Sequence, residues 1–229
     1  DRCIRRSETS RFTQSARAAL PHAPPGPPPG WAGELEAALL DAVLSVRATY
    51  GRPDTGVRAA LGRYRAHCSG DLLDDVDRLA SRAPSALADV LANHQRLAGQ
   101  TLKAAAAVEV AGRLRDLQVR QAVDLRADSA EHRRAVTGVA GLGPLTWDYL
   151  LLAVAARDRP ADHRLLRFAE RVLDCPVSED ALGVAVQHAA DRLEVSVTAL
   201  ELALWRAEGR HARLRSANTP TETMTQRHS

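Results

Sequence analysis

Residues 139–172, VAGLGPLTWDYLLLAVAARDRPADHRLLRFAERV, place a glycine-rich turn and a short polar loop between segments with helical residue spacing. Gly141 and Gly143 interrupt the pattern, and glycine is needed where φ is positive or where another backbone comes close. Pro144 follows as a favoured first helical residue, since its missing N–H would have no partner there. Residues 145–156 are almost all apolar. The segment therefore predicts a hairpin of helices, the second largely buried.

The rest of the chain has the same helical character. Aromatic residues make up 3% of the 229 residues, β-branched runs are scarce, and Ala, Leu and Arg dominate. These properties predict an all-α fold. We expect helices near residues 34–49, 55–67, 72–80, 84–97, 100–115, 129–137, 145–156, 163–173, 182–193 and 196–208, with a brief turn of helix at 118–125.

The sequence predicts one domain between two unstructured ends. Residues 1–30 carry scattered arginines before a polyproline stretch, which cannot form a packed core. We interpret them as a disordered, basic and proline-rich leader, either dispensable or adding weak DNA affinity. The domain covers residues 31–215, and the polar residues 216–229 are expected to be a disordered tail.

The glycine turn has the properties of a phosphate site. The N–H groups of Gly141, Gly143 and Leu145 would point outward at the positive end of a helix. That arrangement binds a phosphate without reading any base. The alternative is an ordinary helical hairpin with a glycine turn, which occurs in many helical domains.

Asp162 stands immediately before a second amphipathic helix. The apolar residues that follow it, from Leu165 to Leu173, fall at helical spacing, so Asp162 is placed to cap that helix. A cap is one interpretation. The other is catalytic, because a helix N-terminus stabilises an ionised carboxylate. A reaction that develops positive charge on a sugar needs such a fixed anion.

The combination of turn, apolar helix and Asp resembles the helix-hairpin-helix DNA glycosylases related to endonuclease III. Their hairpin has the form G-V/I-G, and the catalytic Asp follows it at a similar interval; here Asp162 is the nineteenth residue after Gly143. Arg167 matches the Arg of the family's D-x-H-x-x-R. The resemblance is sharp over about residues 125–175 and weaker over 33–124.

The chain departs from that family in four ways. The family's usual Thr and His after the Asp are His163 and Arg164 here. Members that also cleave the DNA strand carry a lysine where this chain has Leu145, so the Schiff-base route is closed there. Many members hold an iron–sulfur cluster on four cysteines after the catalytic helix, where this chain has only Cys175. The stretch equivalent to the family's helix-filling glutamine is residues 45–50, without a Gln.

The resemblance implies a two-lobed helical fold with a central cleft, the hairpin lobe covering about residues 116–180. Asp162 would be catalytic. The DNA-binding residues would be Gly141, Gly143, Leu145, Thr146, Arg164 and Arg167, and the base pocket would be formed by Arg47, Tyr50, Trp147 and Asp148. Two of these have other interpretations. Trp147 has the position of a core residue, and the charge of Asp148 within an apolar helix must face water, a cap or a partner.

The composition permits a nucleic-acid partner without requiring one. The formal net charge is +3, with 31 basic and 28 acidic residues. Arginines cluster on both sides of the hairpin, at 126, 133 and 134 and again at 157, 159, 164, 167 and 171. Three scattered cysteines argue against a disulfide framework. We expect a monomer in the cytoplasm, nucleoid-associated if bacterial, with double-stranded DNA as partner, no cofactor, no metal and no membrane span.

The sequence therefore favours a monofunctional DNA glycosylase that hydrolyses the N-glycosidic bond of a damaged or modified base. The alternative is a helix-hairpin-helix DNA-binding protein without catalysis. The two differ in whether Asp162 faces an open cleft or is engaged entirely in capping. A third possibility, a helical scaffold unrelated to DNA, would be favoured by buried hairpin glycines.

Overall fold

The computed structural model describes residues 6–20, 30–48, 50–156 and 159–217. These residues form eleven α-helices and one 3₁₀ turn, and their only β pairing is an isolated bridge between Arg96 and Leu102. The all-α prediction is confirmed for them. The helices are α1 (Arg6–Ala19), α2 (Leu35–Leu44), α3 (Gly56–His67), α4 (Val76–Ala80), α5 (Pro84–Leu91), α6 (Lys103–Asp116), α7 (Ala130–Thr137), α8 (Pro144–Ala153), α9 (His163–Leu173), α10 (Glu179–Leu193) and α11 (Val197–Ala217), with the 3₁₀ turn at Ala122–Asp124.

Short polar side chains cap the first turns of two helices. The Ser129 hydroxyl accepts the N–H of His132 at 3.2 Å and begins α7. The Ser178 hydroxyl accepts the N–H of Ala181 at 3.3 Å and begins α10. Such caps satisfy amide groups that have no partner within the helix.

The core is centred on α2, in which every residue is buried. This helix packs against α3, α4, α6 and α8. Its neighbour α6 contributes Ala104, Ala106 and Ala107 to the core, all fully buried. Their small side chains let the two helices approach closely.

The helices pack in two groups. Helices α2 to α8 contact one another, while α1 packs with α9, α10 and α11 from the other end of the sequence. The ring of Phe12 on α1 meets that of Phe168 on α9 edge to face, with centroids 5.9 Å apart. Helix α11 also contacts α8 and so links the two groups.

The prediction of a disordered leader over residues 1–30 is wrong for residues 6–19, which form α1. Phe12 and Ala16 are fully buried, and the Arg11 guanidinium donates to the carbonyl oxygen of Leu173. Two buried apolar side chains one turn apart are sufficient to dock an otherwise polar helix, and the sequence pattern did not reveal them. Residues 1–5 and 21–29 of the predicted leader, and 218–229 of the predicted tail, lie outside the described residues.

Two predicted helices end earlier than expected, and their ends shape a cleft. Helix α2 ends at Leu44, and Arg47 in the following turn has the left-handed φ of 50°. Helix α5 ends at Leu91, where Ala92 adopts a φ of 44°. The chain between α5 and α6 therefore runs as a loop beside the turn after α2. Within the described residues, no helix is long and apolar enough to cross a membrane.

Candidate functional site

The turn before α8 requires glycine at one of its two positions. Gly141 has a φ of 87°, and a Cβ there would lie 2.7 Å from the Cβ of Leu97. Gly143 has an extended backbone, and a Cβ added to it would meet no atom within 4 Å. Gly141 is exposed and Gly143 half-buried. The turn therefore needs glycine at position 141, where the backbone packs against Leu97, and not at position 143.

One amide group of this turn already has a hydrogen-bond acceptor. The N–H of Gly143 donates to the hydroxyl of Thr146 at 3.4 Å, and Thr146 itself is buried. Of the three amides expected to bind phosphate, those of Gly141 and Leu145 have no acceptor among the described residues. The Leu145 side chain is 47% exposed. The amide of Leu145 belongs to the first turn of α8, at the positive end of that helix, and Gly141 precedes the helix by three residues.

A cleft of about 440 Å³ lies beside the turn. The residues that line it come from the turn after α2, from the α5–α6 loop and from the glycine turn. They are Val46, Arg47, Arg96, Leu97, Ala98, Gly141, Leu142 and Gly143. The Arg96 guanidinium donates to the carbonyl oxygen of Gln100 and is held at the rim, while Arg47 is exposed. Two arginines beside a glycine turn make this cleft suited to an anion.

Lys103 holds two walls of this cleft together from the inside. Its side chain is 2% exposed, and its Nζ donates to the carbonyl oxygen of Leu44 and to Oε1 of Gln95, each at 2.8 Å. Leu44 is the last residue of α2, and Gln95 lies in the α5–α6 loop. Burial lowers the pKa of this ammonium group. The only lysine in the chain is therefore engaged in the interior.

Asp162 lies where the sequence predicts it, at the N-cap of α9. Its Oδ1 accepts the N–H of Arg164 at 2.7 Å, and its Oδ2 accepts the indole N–H of Trp205 on α11 at 3.3 Å. The side chain is half-buried. Each carboxylate oxygen has two acceptor positions, so both retain capacity for a further donor.

Asp148 lies next to Asp162. Ligand atoms of Asp148, Asp162 and exposed His163 are all within 4.8 Å of one another, a spacing at which they could hold a cation. Burial and the charge of Asp162 raise the pKa of the Asp148 carboxyl, and Arg133, His163 and Arg164 oppose that shift. The structure thus brings two carboxylates together in different environments. Asp162 accepts two N–H donors, whereas Asp148 ionises against burial and a neighbouring charge.

Asp148→Asn is expected to raise the midpoint of thermal unfolding at neutral pH. Because the pKa of Asp148 is raised in the folded state, ionisation costs the folded protein more than the unfolded chain. That cost is present above the folded-state pKa and disappears below the ordinary aspartate value, where the carboxyl is protonated in both states. The gain over wild type should therefore shrink as the pH falls from about 7 to about 3.

Thermal melts of both proteins across that pH range make the measurement. Asp180→Asn, which removes an exposed carboxylate from the first turn of α10, is the matched control. A pH-independent gain, or a lower midpoint at neutral pH, would contradict the proposed electrostatic environment of Asp148.

A buried polar network, which the sequence did not predict, connects α2 to α8 and α11. Asp41 is fully buried in α2 and accepts hydrogen bonds on both oxygens. Its donors are the Trp31 indole at 2.7 Å, the Ser45 hydroxyl at 2.9 Å, the Tyr149 hydroxyl at 3.0 Å and the Tyr50 hydroxyl at 3.1 Å.

Arg206 of α11 completes this network. Its guanidinium lies 3.8 Å from Oδ2 of Asp41, donates to the Tyr149 hydroxyl and stacks 3.6 Å from the centre of the Tyr50 ring. Burial raises the pKa of both phenols, and the charge of Asp41 adds to the effect. The signal that could have revealed Asp41 was a carboxylate in the middle of the apolar run AALLDAVL.

The sequence-predicted site residues therefore fall into separate groups. Arg47, Gly141 and Gly143 meet at the cleft, while Asp148 and Asp162 meet at the start of α9. Tyr50 belongs to the Asp41 network. Trp147 is 3% exposed and packs in the core, which leaves no ring face for stacking on a base.

The predicted arginine cluster is less uniform than the sequence suggests. Arg164 stacks 4.1 Å from the centre of the Trp205 ring, whereas Arg167 is exposed. Three other members pair with carboxylates: Arg126 with Asp128, Arg159 with Glu201 and Arg171 with Glu208. Arg133 and Arg134 are exposed on α7, and residue 157 lies outside the described part of the chain.

Comparison with known proteins gives a family for the chain. Residues 11–209 match a family described as a domain of unknown function, DUF8548, and the chain belongs to that family. No curated protein and no solved structure matches it.

Proposed function

We propose that this protein is a monofunctional DNA glycosylase, which hydrolyses the bond between a damaged or modified base and its sugar in double-stranded DNA. The observation that carries the proposal is the position of Asp162. It caps α9 beside a second carboxylate, and it follows a helix whose exposed glycine turn borders an arginine-lined cleft. The helices pack in two groups, but their boundary differs from the predicted hairpin lobe of residues 116–180, because α9 packs with α1, α10 and α11 rather than with α7 and α8.

The DNA backbone would bind at the glycine turn. The amides of Gly141 and Leu145 and the guanidinium groups of Arg47 and Arg96 offer donors and positive charge to a phosphate. These contacts fix the position of the duplex without reading its sequence. Arg133, Arg134 and Arg167 add exposed positive charge on α7 and α9.

The reaction would take place one nucleotide away from that contact. Asp148 lies five residues beyond Gly143, roughly 7 Å along the axis of α8, and Asp162 is next to it. A nucleotide rotated out of the duplex presents its sugar there. The base leaves with the electron pair of the C1′–N bond, and water adds to C1′. Asp162 stabilises the positive charge on the sugar and accepts the proton that the water loses.

The expected product is an abasic site in an uncut strand. Strand cleavage through a Schiff base needs an amine at the sugar. Leu145 provides none, and the amine of Lys103 is buried against Leu44 and Gln95. A duplex with one cognate lesion should therefore remain intact after incubation and break only on heating in alkali. Cleavage without alkali would contradict the monofunctional assignment.

A second candidate function is DNA binding without catalysis. The observation that favours it is that both oxygens of Asp162 already accept a hydrogen bond. A carboxylate used only as a cap and as a partner of Trp205 would look the same. The two functions differ in whether bound lesion-containing DNA loses its base.

Gly143→Asp is expected to weaken duplex binding by about tenfold or more at low salt, because a carboxylate at the turn repels the phosphate. The fold should survive, since Asp is a preferred N-cap residue and the added side chain begins in open space. The loss should be the same for every duplex sequence, because the contact is with the backbone. Fluorescence anisotropy with several labelled duplexes provides the measurement.

Gly183→Asp is the matched control, since it adds the same charge at an exposed position of α10 where a Cβ also meets no atom within 4 Å. Equal affinities for the two variants would remove the glycine turn from the DNA-binding surface.

A further inference from the structure

Trp205 of α11 lies between the two elements that carry the candidate carboxylates. Its indole N–H donates to Oδ2 of Asp162 at 3.3 Å. Its ring meets that of Tyr149 on α8 edge to face, with centroids 5.1 Å apart. The guanidinium of Arg164, on the first turn of α9, lies 4.1 Å from its ring centre. One side chain of the C-terminal helix therefore contacts α8, α9 and the capping carboxylate.

The two hydrogen bonds of Asp162 act on different oxygens. The amide of Arg164 holds Oδ1 and belongs to α9 itself, whereas Trp205 holds Oδ2 from another helix. The terminal torsion of an aspartate is broad, so a carboxylate held by a single oxygen can turn about its Cβ–Cγ bond. The second donor fixes the plane of the group. Electrostatic catalysis depends on a charge that is oriented before the reaction begins.

The position of Trp205 is itself fixed by its neighbour in sequence. Arg206 donates to the Tyr149 hydroxyl and pairs with buried Asp41 at 3.8 Å. These contacts anchor this turn of α11 to α2 and α8. The indole therefore approaches Asp162 from an anchored helix.

We propose that Trp205 is the positioning residue for Asp162, acting through its indole N–H to hold the carboxylate in the plane in which it meets the reacting sugar. This role rests on the proposed glycosylase function. It assigns part of the site to α11, which the sequence motif around the hairpin does not include.

Trp205→Phe tests this role, because phenylalanine keeps an aromatic ring beside Tyr149 and Arg164 and has no N–H donor. Its ring is smaller than indole, so the rate is compared with that of a second Trp→Phe variant. The single-turnover rate of base release should fall roughly tenfold, the scale of one hydrogen bond to a charged group. Duplex affinity should stay unchanged, because the ring does not face the cleft beside the glycine turn. In an Asp162→Asn background, the same substitution should have no further effect on the rate.

Trp31→Phe is the matched control, since it removes an indole N–H from a different carboxylate, Asp41. Its effect on the rate should be smaller than that of Trp205→Phe, because its indole donates to Asp41 and not to Asp162. Thermal melts establish that each variant is folded before its rate is compared.

The possible outcomes separate the two proposals. An unchanged rate for Trp205→Phe, or an effect that persists in the Asp162→Asn background, overturns the positioning role and leaves the glycosylase proposal intact. No base release by the wild-type protein overturns the glycosylase proposal and the positioning role with it. The hydrogen bond also has a test that needs no substrate: the Trp205 indole resonance in a ¹⁵N–¹H NMR spectrum should move on Asp162→Asn, and a fixed resonance overturns the contact on which the role depends.

Discussion

Asp162→Asn is expected to lower the rate of base release by about 100-fold or more, which is the effect of losing one preorganised electrostatic group. The reason is that its charge stabilises the positive charge on the sugar, which is absent from the bound substrate and develops in the transition state. Duplex affinity should stay equal or rise slightly, since a negative charge near the phosphates is lost. Asparagine keeps a side-chain oxygen for the N–H of Arg164, so the cap of α9 should persist.

Single-turnover rates and duplex affinities of the two proteins give the comparison. Asp180→Asn serves as the control for removing a carboxylate from the first turn of a helix. Base release that survives Asp162→Asn would show that the residue is a cap alone. Unfolding of this variant would identify the carboxylate as a structural requirement of α9.

Asp41→Ala should reduce the free energy of unfolding by about 3–5 kcal/mol, the cost of removing one partner from a buried charged pair. The substitution leaves Arg206 without its carboxylate, and it leaves four hydrogen-bond donors in the interior without their acceptor. Urea denaturation measures the loss. Asp41→Asn keeps the volume and one acceptor oxygen and should be less damaging than alanine.

Asp128→Ala is the control for this experiment, because it breaks an exposed pair with Arg126 and should leave the urea midpoint nearly unchanged. A similarly small effect of Asp41→Ala would mean that the network of α2, α8 and α11 contributes little to stability. The anchoring of Trp205 through Arg206 would then lose its support.

Local patterns were sufficient to predict most of the helical structure. The predicted helix at residues 163–173 agrees with α9, since its apolar residues form one continuous face and Asp162 caps it. Ser129 and Ser178 cap α7 and α10 in the same way. In each case the information lies within a few residues, where spacing and capping chemistry determine the structure.

Contacts between segments that are distant in the sequence could not be predicted from such patterns. Helix α1 was missed because its packing depends on Phe12 meeting Phe168, far away in the sequence. The Asp41 network joins α2 and its flanking residues to α8 and α11. Its local sign in the sequence was a carboxylate in an apolar helix. Asp148 carries the same local sign, a carboxylate in an apolar helix, and it lies beside a second carboxylate, Asp162.

The candidate site was predictable only as far as its motif extends. Asp148 and Asp162 were both predicted as site residues, and they lie together. Arg47 was expected in a base pocket with Tyr50, Trp147 and Asp148, but it lies beside the glycine turn instead. The contribution of α11 was not, because Trp205 lies outside the segment that carries the motif. Thr146 was expected to contact DNA, but its hydroxyl accepts the Gly143 amide instead, since a buried hydroxyl beside an uncapped amide forms the nearest available bond.

The most direct measurement is the release of free base from a panel of duplexes that each carry one damaged or modified base, followed by mass spectrometry. The protein should release at least one of these bases, and Asp162→Asn should abolish nearly all of that release while still binding the same duplex. A protein that binds every duplex of the panel and releases no base would contradict the glycosylase assignment and leave DNA binding as its function.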